Sequence, residues 1–411
     1  MPSCSQVLVL NCGSSSLKFA IIDPHNGDLS LSGIGDALGQ PEPTVSWTLD
    51  GEKHTAKLPE NARHTEVIQF LVQDILGERA DLRDCLIAIG HRVVHGGEKF
   101  SHSVLIDDAV VAAIQACVAL APLHNPAHLL GIEAAKAAFP RLPQVAVFDT
   151  AFHQSMPRHA FIYALPYSLY RDHGIRRYGM HGTSHRFVTE RAAELLNLPV
   201  NEVNIISAHL GNGASITAVR DGHSVDTSMG LTPLEGLVMG TRSGDVDPGL
   251  LMHLGSRMDF CLKEINDLLN KKSGLLGISE LSNDCRALEQ AAAEGHSGAQ
   301  LALDIFSYRL AKYIGAYHGI LPQVDALVFT GGIGENSSLI REMVLAHLTG
   351  LGYEIDSERN TRARFGEEGP ISSDQSAVTL VIPTNEEWVI ARDAAELVPP
   401  DTPNHDPSIR E

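Results

Sequence analysis

Two short polar turns in this chain carry the residue types that bind phosphate. Residues 11–18 hold an Asn, a Gly, three Ser and a Lys between two apolar runs, and residues 209–215 repeat the design. Backbone N–H groups, hydroxyls and one positive charge suit a phosphate, although most Gly-Ser turns between strands are plain hairpins. Gly13 and Gly211 lie 198 residues apart (211 − 13) in a chain of 411. The repeat therefore predicts a duplicated fold with one phosphate-binding hairpin in each half.

Two arginines lie in segments where a positively charged side chain requires an anionic partner. Arg92 falls in the apolar run 86–94, where burying a guanidinium without an anion is costly. Arg242 lies in the loop 241–249, in which Asp247 precedes a proline and is predicted to cap a helix. Each arginine either forms a structural ion pair or holds a ligand carboxylate or phosphate in its guanidinium fork. The ligand role is favoured for Arg242, because its glycine-containing loop offers little else to pair with.

Histidines recur at the spacing H-x-x-x-H, in the pairs His91/His95, His124/His128 and His181/His185. On a helix this spacing suits zinc. However, the first pair ends a strand, the other two contain Asn-Pro or Gly, and no H-E-x-x-H occurs. We therefore expect most of these side chains to be hydrogen-bonding groups in loops. His181, flanked by glycines and followed by a helix start, is the best candidate to contact a transferring group.

Two strand-to-helix turns complete the candidate chemistry. Residues 330–336 contain three glycines, which allow the backbone to approach a flat ligand closely. They do not form G-x-G-x-x-G, so a Rossmann fold has little support. In residues 384–387, Thr384 fits the N-cap and Glu387 the third helical position of a capping box. Glu386 is then left free as a carboxylate for Mg²⁺.

Composition restricts the class of protein. A hydrophobic content of 44% with 20% charged residues is ordinary for a globular chain. The net charge of −19 argues against nucleic-acid binding, since no basic run offsets it. The longest apolar run, 109–123, is interrupted by Gln115 and Pro122 and is too short to span a membrane. Six scattered cysteines without a CxxC pair predict reduced thiols, and no signal peptide is evident, so we expect a cytoplasmic protein.

Short β-rich runs alternate with helical patterns along the chain. Strands are predicted at 7–10, 17–22, 86–94, 145–148, 203–208, 216–219, 324–329 and 378–382. Helices are predicted at 65–76, 108–120, 126–138, 184–196, 264–269, 299–317, 337–348 and 386–395. This alternation predicts an α/β fold with mixed sheets, and residues 40–58 are predicted to form an elaborated hairpin or loop. A boundary after the strand at 145–148 would divide the chain into lobes 1–150 and 151–387, with residues from about 388 to 411 returning to the first lobe.

Taken in order along the chain, these motifs closely resemble the acetate kinases, of the acetate and sugar kinase/Hsc70/actin superfamily. The matching stretches are 8–18, 91–97, 122–126, 148–153, 177–185, 209–215, 241–249, 329–336 and 383–387. They span nearly the whole chain and together are highly specific. The resemblance implies two lobes of duplicated actin-like (ribonuclease H-like) topology, with mixed sheets flanked by helices, ATP in the cleft between the lobes, and a homodimer.

The resemblance also implies roles for individual side chains. ATP would be bound by Asn11, Ser14, Ser16, Lys18, His209, Leu210, Gly211, Asn212, Gly213, Asp284, Cys285, Arg286, Gly332, Ile333, Gly334 and Asn336. Mg²⁺, for which Mn²⁺ can substitute, would be held by Glu386 and Asn11. The transferring phosphoryl group would be surrounded by Arg92, His124, His181 and Arg242, and Asp149, a further catalytic residue, would lie near the Mg²⁺. The acyl pocket would be lined by Arg92, Val94, Leu123, Met180 and Pro233.

The chemistry of phosphoryl transfer to a carboxylate fits these residues. A carboxylate is ionised at neutral pH, so it attacks without a general base, and the requirement is to neutralise charge where one anion meets another. We therefore predict reversible, direct in-line transfer of the ATP γ-phosphoryl group to acetate, giving acetyl phosphate and ADP. A propionate kinase shares these motifs and is the first alternative. A nucleotide switch of the actin or Hsc70 type has no need for a second anion pocket at Arg92 and Arg242, and a zinc hydrolase is the third alternative.

Overall fold

The computed structural model describes residues 5–122 and 124–398. The chain forms two compact units, one of Met1–Ala151 with Asn385–Glu411 and the other of Phe152–Thr384. The last helix, Glu386–Glu396, belongs to the first unit as a whole. Within the described ranges, no helix is long and apolar enough to cross a bilayer.

The strands and helices are numbered here in chain order. The strands are β1 Gln6–Cys12, β2 Leu17–Ile22, β3 Leu29–Asp36, β4 Thr44–Leu49, β5 Glu52–Lys57, β6 Leu86–Val93, β7 Val104–Leu105, β8 Gln144–Phe148, β9 Ile205–Leu210, β10 Ala214–Arg220, β11 His223–Thr227, β12 Ala326–Thr330, β13 Gly369–Pro370 and β14 Thr379–Val381. The helices are α1 His64–Phe70, α2 Ala80–Arg83, α3 Asp108–Ala116, α4 Asn125–Ala138, α5 Arg158–Phe161, α6 Tyr167–His173, α7 Gly182–Leu196, α8 Pro248–Arg257, α9 Leu262–Lys271, α10 Gly274–Ser279, α11 Cys285–Ala293, α12 Ser297–His318, α13 Gly331–Asn336, α14 Ser338–Ala346, α15 Ser357–Arg362 and α16 Glu386–Glu396.

Each unit contains one mixed sheet, and both sheets share a five-strand pattern. The first sheet has the order β5-β4-β3-β2-β1-β6-β8-β7 and the second the order β11-β10-β9-β12-β14-β13. In each sheet, three strands that are consecutive in the chain pair in antiparallel fashion. The first of the three in the chain, β1 or β9, also pairs in parallel with a strand from later in the chain. A second parallel pair, β6–β8 or β12–β14, follows. The predicted α/β class and its duplicated topology are confirmed.

The parallel strands form the buried centre of each unit because helices cover both of their faces. Every residue of β8 and of β12 is buried. In the first unit, α16 packs Ile390 and Ala394 against Val7 and Ala88 on one face of the sheet, and residues of α1 and α4 join the core on the other face. The packing fixes the ends of β1 and β6, where the candidate site residues begin.

The expectation for the start of α16 is wrong in detail. The N-cap of α16 is Asn385, whose side-chain oxygen accepts the Trp388 N–H at 3.0 Å, and Thr384 instead donates its hydroxyl to Ser184. The capping box predicted from Thr384 and Glu387 is therefore wrong: Asn385, an equally good cap one residue later, takes the N-cap position, and the third helical residue is then Trp388, which cannot complete a capping box. Cysteines 12, 117, 261 and 285 are free thiols.

Candidate active site

The first polar turn joins β1 and β2 in a hairpin whose shape is fixed by backbone contacts. Asn11 pairs across the strands with Lys18, and the Gly13 N–H donates to the Ser16 carbonyl at 2.8 Å. The Nε2 of His64 lies 2.7 Å from the Gly13 carbonyl. Ser14 and Lys18 are exposed. The predicted phosphate-binding groups of this half thus lie together at the end of one hairpin.

The second polar turn occupies the equivalent place in the other unit, between β9 and β10. The Gly211 N–H donates to the Gly213 carbonyl at 3.0 Å. The Asn212 carbonyl accepts the Gly240 N–H at 2.9 Å, and its side-chain oxygen accepts from Asn283 at 2.9 Å. Leu210, the last residue of β9, is fully buried. Contacts from Gly240 and Asn283 therefore hold Asn212 in place, while the two glycines of the turn stay partly exposed.

A cluster of histidines and hydroxyls lies beside the second turn and orients His181. The His181 ring stacks on the His209 ring with centroids 4.3 Å apart. Its Nδ1 lies 3.0 Å from the Ser215 hydroxyl, which also contacts Nε2 of His185 at 2.8 Å. Burial lowers the pKa of His185 well below its usual value, so this ring is neutral at pH 7. His181 itself has left-handed backbone, with φ of 58°, and is fixed in place by this network.

Arg242 is the charged residue of this cluster. A Cβ added at Gly213 would lie 3.4 Å from the Arg242 Nη1 and 3.7 Å from the His181 ring, so all three border one small space. Nη1 also donates to the Pro233 carbonyl at 3.2 Å. Burial lowers the pKa of Arg242. Among residues 5–122 and 124–398, Arg242 forms no ion pair, so its charge is left for a ligand.

Arg92 in the first unit has a carboxylate partner. Its Nε and Nη2 donate to the two carboxylate oxygens of the buried Asp149 at 3.1 and 2.7 Å, and Nε lies 3.9 Å from the Glu386 carboxylate. Burial opposes the charge on Arg92, but these two anions outweigh it and raise its pKa. Arg92, predicted to face the phosphoryl group, and Asp149, predicted to lie near the Mg²⁺, thus form a bidentate ion pair with Glu386 beside it.

The other residues predicted for the acyl pocket, and His124, which was predicted to contact the phosphoryl group, lie at these positions. Val94, just after β6, is buried, and its N–H donates to the Nδ1 of His128. Met180 is buried, and its carbonyl contacts the Nε2 of His153 at 3.0 Å. His124 is the N-cap residue of α4, Pro233 holds Arg242 through its carbonyl, and Leu123 lies outside the described residues.

A cavity of about 630 Å³ opens in the second unit next to the turn at Gly211 and Asn212. Its volume is in the range of small-molecule sites. Of the predicted adenosine residues it is lined by Asp284, Cys285, Arg286, Gly332, Ile333 and Asn336. Asp284 is the N-cap of α11 and pairs with Arg286 through two hydrogen bonds. Most of the residues assigned to adenosine from the sequence therefore border one cavity.

Gly334 is not among the lining residues, because it is buried within the turn. Gly331 has a φ of +75°, and a Cβ there would lie 2.9 Å from the backbone of Leu210, so only glycine permits this close approach to the second hairpin. The cavity is also lined by residues without a recognisable motif, namely Asn283, Glu289, Ser337, Arg364 and Phe365. No spacing signal in the sequence marks them.

Comparison with known proteins gives consistent matches. A family model described as the acetokinase family matches residues 6–392. Proteins named acetate kinase from Shewanella amazonensis and Shewanella loihica are each 63% identical over 392 residues, covering 95% of this chain and 98% of theirs. A solved propionate kinase from Francisella tularensis is 49% identical with a TM-score of 0.91, and Porphyromonas gingivalis acetate kinase is 45% identical with the same score. Both cover 96% of this chain and 100% of their own.

These matches extend over both sheets, both polar turns and both arginines, so they include every part of the site described above. The order of motifs, the duplicated topology and the similarity over nearly the full length agree with one another. This chain belongs to the acetokinase family.

Proposed function

We propose that this chain is an ATP-dependent acetate kinase that reversibly transfers the γ-phosphoryl group of ATP to acetate, forming acetyl phosphate and ADP. The observation that carries the proposal is the partly buried guanidinium of Arg242, which has no carboxylate partner in the described part of the chain and borders the same space as His181 and Gly213. Removing a charge from water without supplying a counter-ion is costly. An anionic ligand at this place would compensate it.

The reaction needs charge neutralisation more than it needs a base. The acetate carboxylate is already ionised near neutral pH, and the transition state spreads negative charge over the equatorial phosphoryl oxygens. The Arg242 fork can donate two hydrogen bonds to such oxygens, and the His181 ring can donate one. The backbone N–H groups of Asn212 and Gly213 would add fixed dipoles. These groups support electrostatic stabilisation as the main source of catalysis.

We assign the two partners of the reaction to different groups of residues. The cavity beside Asn212 would take the nucleoside, and the turns at 11–18 and 209–213 its phosphates. Arg92 would bind the acceptor carboxylate with the part of its guanidinium that Asp149 leaves open. Asp149 is held by Arg92 and so acts by fixing that arginine, not as a nucleophile. We assign the apolar side chains of Val94, Met180 and Pro233 to the acyl chain of the acceptor.

Mg²⁺ is the metal expected with ATP, and Glu386 fits it best. No group of three His, Cys, Asp or Glu side chains in residues 5–122 and 124–398 is arranged to hold a metal, but Mg²⁺ on nucleotides typically uses one or two protein carboxylates, water and phosphate oxygens. Glu386 is the first residue of α16 and partly exposed. Asn11 would add an amide oxygen. The ion would neutralise phosphate charge, and Mn²⁺ is expected to substitute.

Glu386→Gln should raise the Mg²⁺ concentration needed for half-maximal rate about tenfold, the change that about 1.4 kcal/mol of lost binding free energy produces. The matched control is Glu387→Gln on the same helical turn. Burial raises the pKa of Glu387, which makes it a poorer ligand. Metal titrations of the initial rate would compare the two variants. Equal shifts for both would contradict the assignment of Glu386.

A propionate kinase is the second candidate, supported by the propionate kinase at 49% identity. The relatives at 63% identity are named acetate kinase, and this favours acetate.

We also propose a homodimer working in the cytoplasm, where ATP is supplied. Sedimentation of the purified chain would test its oligomeric state.

The function is tested by mixing the purified chain with MgATP with and without acetate, and measuring ADP and acetyl phosphate. We expect ADP and acetyl phosphate in equal amounts and little ADP without acetate. ADP release that is independent of any carboxylate would instead support a nucleotide switch.

A further inference from the structure

Phe365 is an unusual residue at the edge of the cavity in the second unit. Its side chain is 82% exposed, and its φ of 57° places a bulky residue in the left-handed region. Such a conformation is rare for an aromatic residue and tends to be retained at ligand sites. An exposed phenyl ring also stays in contact with water, which is unfavourable unless a ligand covers it.

The backbone of Phe365 is tied to the cavity wall. Its N–H donates to the Asn336 side-chain oxygen at 3.0 Å, and the Asn336 amide in turn donates to the Gly332 carbonyl at 3.0 Å. The fully buried Arg341 connects the two segments that carry Asn336 and Phe365. Its guanidinium donates to four main-chain carbonyls, those of Gly334, Glu335, Asn360 and Ala363. The segment that carries Phe365 is thus fixed relative to α13.

The neighbouring Arg364 supplies a second flat group and an unused donor. Its guanidinium carbon lies 4.9 Å from the centre of the Phe365 ring, and both residues line the cavity. The Nε of Arg364 is buried and has no hydrogen-bond partner among the described residues. A buried donor is rarely left unpaired in a protein. A ligand acceptor in the cavity would satisfy it.

We propose that Phe365 stacks on the base of the nucleotide and that Arg364 donates a hydrogen bond from Nε to the same nucleoside. This inference rests on the proposed function, because it takes the cavity to be the nucleoside site, and it adds a stacking wall to that site. Stacking on an aromatic ring is tolerant of base identity. The stack therefore provides affinity for the base, while the choice between bases depends on other contacts.

Binding of ADP to the full chain tests the proposal directly, by isothermal titration calorimetry. Phe365→Ala should raise the Kd for ADP about tenfold, and Phe365→Trp should keep it near the wild-type value. Tyr308→Ala is the matched control, since Tyr308 is also a half-exposed aromatic residue of this unit but does not line the cavity. GDP should lose affinity by a similar factor in Phe365→Ala, because either purine can stack.

Kinetics give a second readout. Phe365→Ala should raise the KM for ATP by the same factor and leave kcat and the KM for acetate within about twofold of wild type. The proposal is wrong if Phe365→Ala binds ADP as tightly as wild type, if Phe365→Trp loses as much affinity as Phe365→Ala, or if Tyr308→Ala has the same effect. Absence of acetate-dependent activity in the wild type would contradict the proposed function, and calorimetry would still test the stack.

Discussion

Replacing Arg242 by Lys is expected to lower kcat about 10³-fold, the lower range for arginines that stabilise a transferring phosphoryl group. An ammonium is a point charge and cannot reproduce two parallel hydrogen bonds to neighbouring oxygens. Arg242→Ala should be only slightly worse. Steady-state rates with saturating MgATP and acetate would measure the loss.

The control for the two Arg242 variants is their thermal stability, measured against wild type. The Arg242 guanidinium donates to the Pro233 carbonyl and to the Met239 sulfur and makes no ion pair in the part of the chain described, so either variant should keep a melting temperature close to wild type. An Arg242→Lys variant that keeps most of the wild-type kcat would show that the planar fork is not needed, and the assigned role would then be wrong.

Asp149→Ala is expected to lower the free energy of unfolding by about 3–5 kcal/mol, as when one partner of a buried ion pair is removed. The Arg92 guanidinium would lose both of its short contacts, and the Glu386 carboxylate at 3.9 Å would compensate only weakly. Urea denaturation of the full chain would measure the change. Activity should be lost as well, because Arg92 is no longer held in one orientation.

A double variant separates the structural role of this pair from its role in catalysis. Arg92→Met with Asp149→Leu replaces both charges by apolar groups and should restore most of the stability, while activity stays low because the acceptor carboxylate has lost its arginine. A double variant as unstable as Asp149→Ala would mean that the ion pair is not the cause of the instability. Recovery of activity in the double variant would show that Arg92 is not needed to bind the acceptor carboxylate.

The sequence was informative where one local pattern determines one element. The two polar turns predicted equivalent hairpins, and β1–β2 and β9–β10 confirm them. Asp247 before a proline predicted the start of α8, and its side chain accepts the Gly249 N–H at 2.9 Å. Alternation of apolar runs located the central strands to within a few residues, because these strands are buried on both faces.

Elements whose stability depends on distant contacts were not predicted. Strand β3 contains Gly33 and Gly35, which resemble a loop in sequence, yet each lies directly against a side chain of the core, Phe19 or Val67. The contacts of Ser215 with two histidines depend on the pairing of β9 with β10 and on the position of α7. The ion pair of Arg92 joins residues 57 positions apart, and the sequence left open whether this arginine had a protein partner.

The direct test of acetate kinase function is the ratio of kcat/KM for acetate to that for propionate, measured on the wild type by ADP formation at fixed MgATP. The proposed acetate specificity requires that longer acyl chains are excluded, and one methylene typically changes such discrimination by about 1–3 kcal/mol. We predict that acetate has the highest kcat/KM, that propionate is lower and butyrate poor, and that Val94→Ala improves propionate relative to acetate. A wild-type enzyme with a higher kcat/KM for propionate than for acetate would contradict the assignment and identify a propionate kinase.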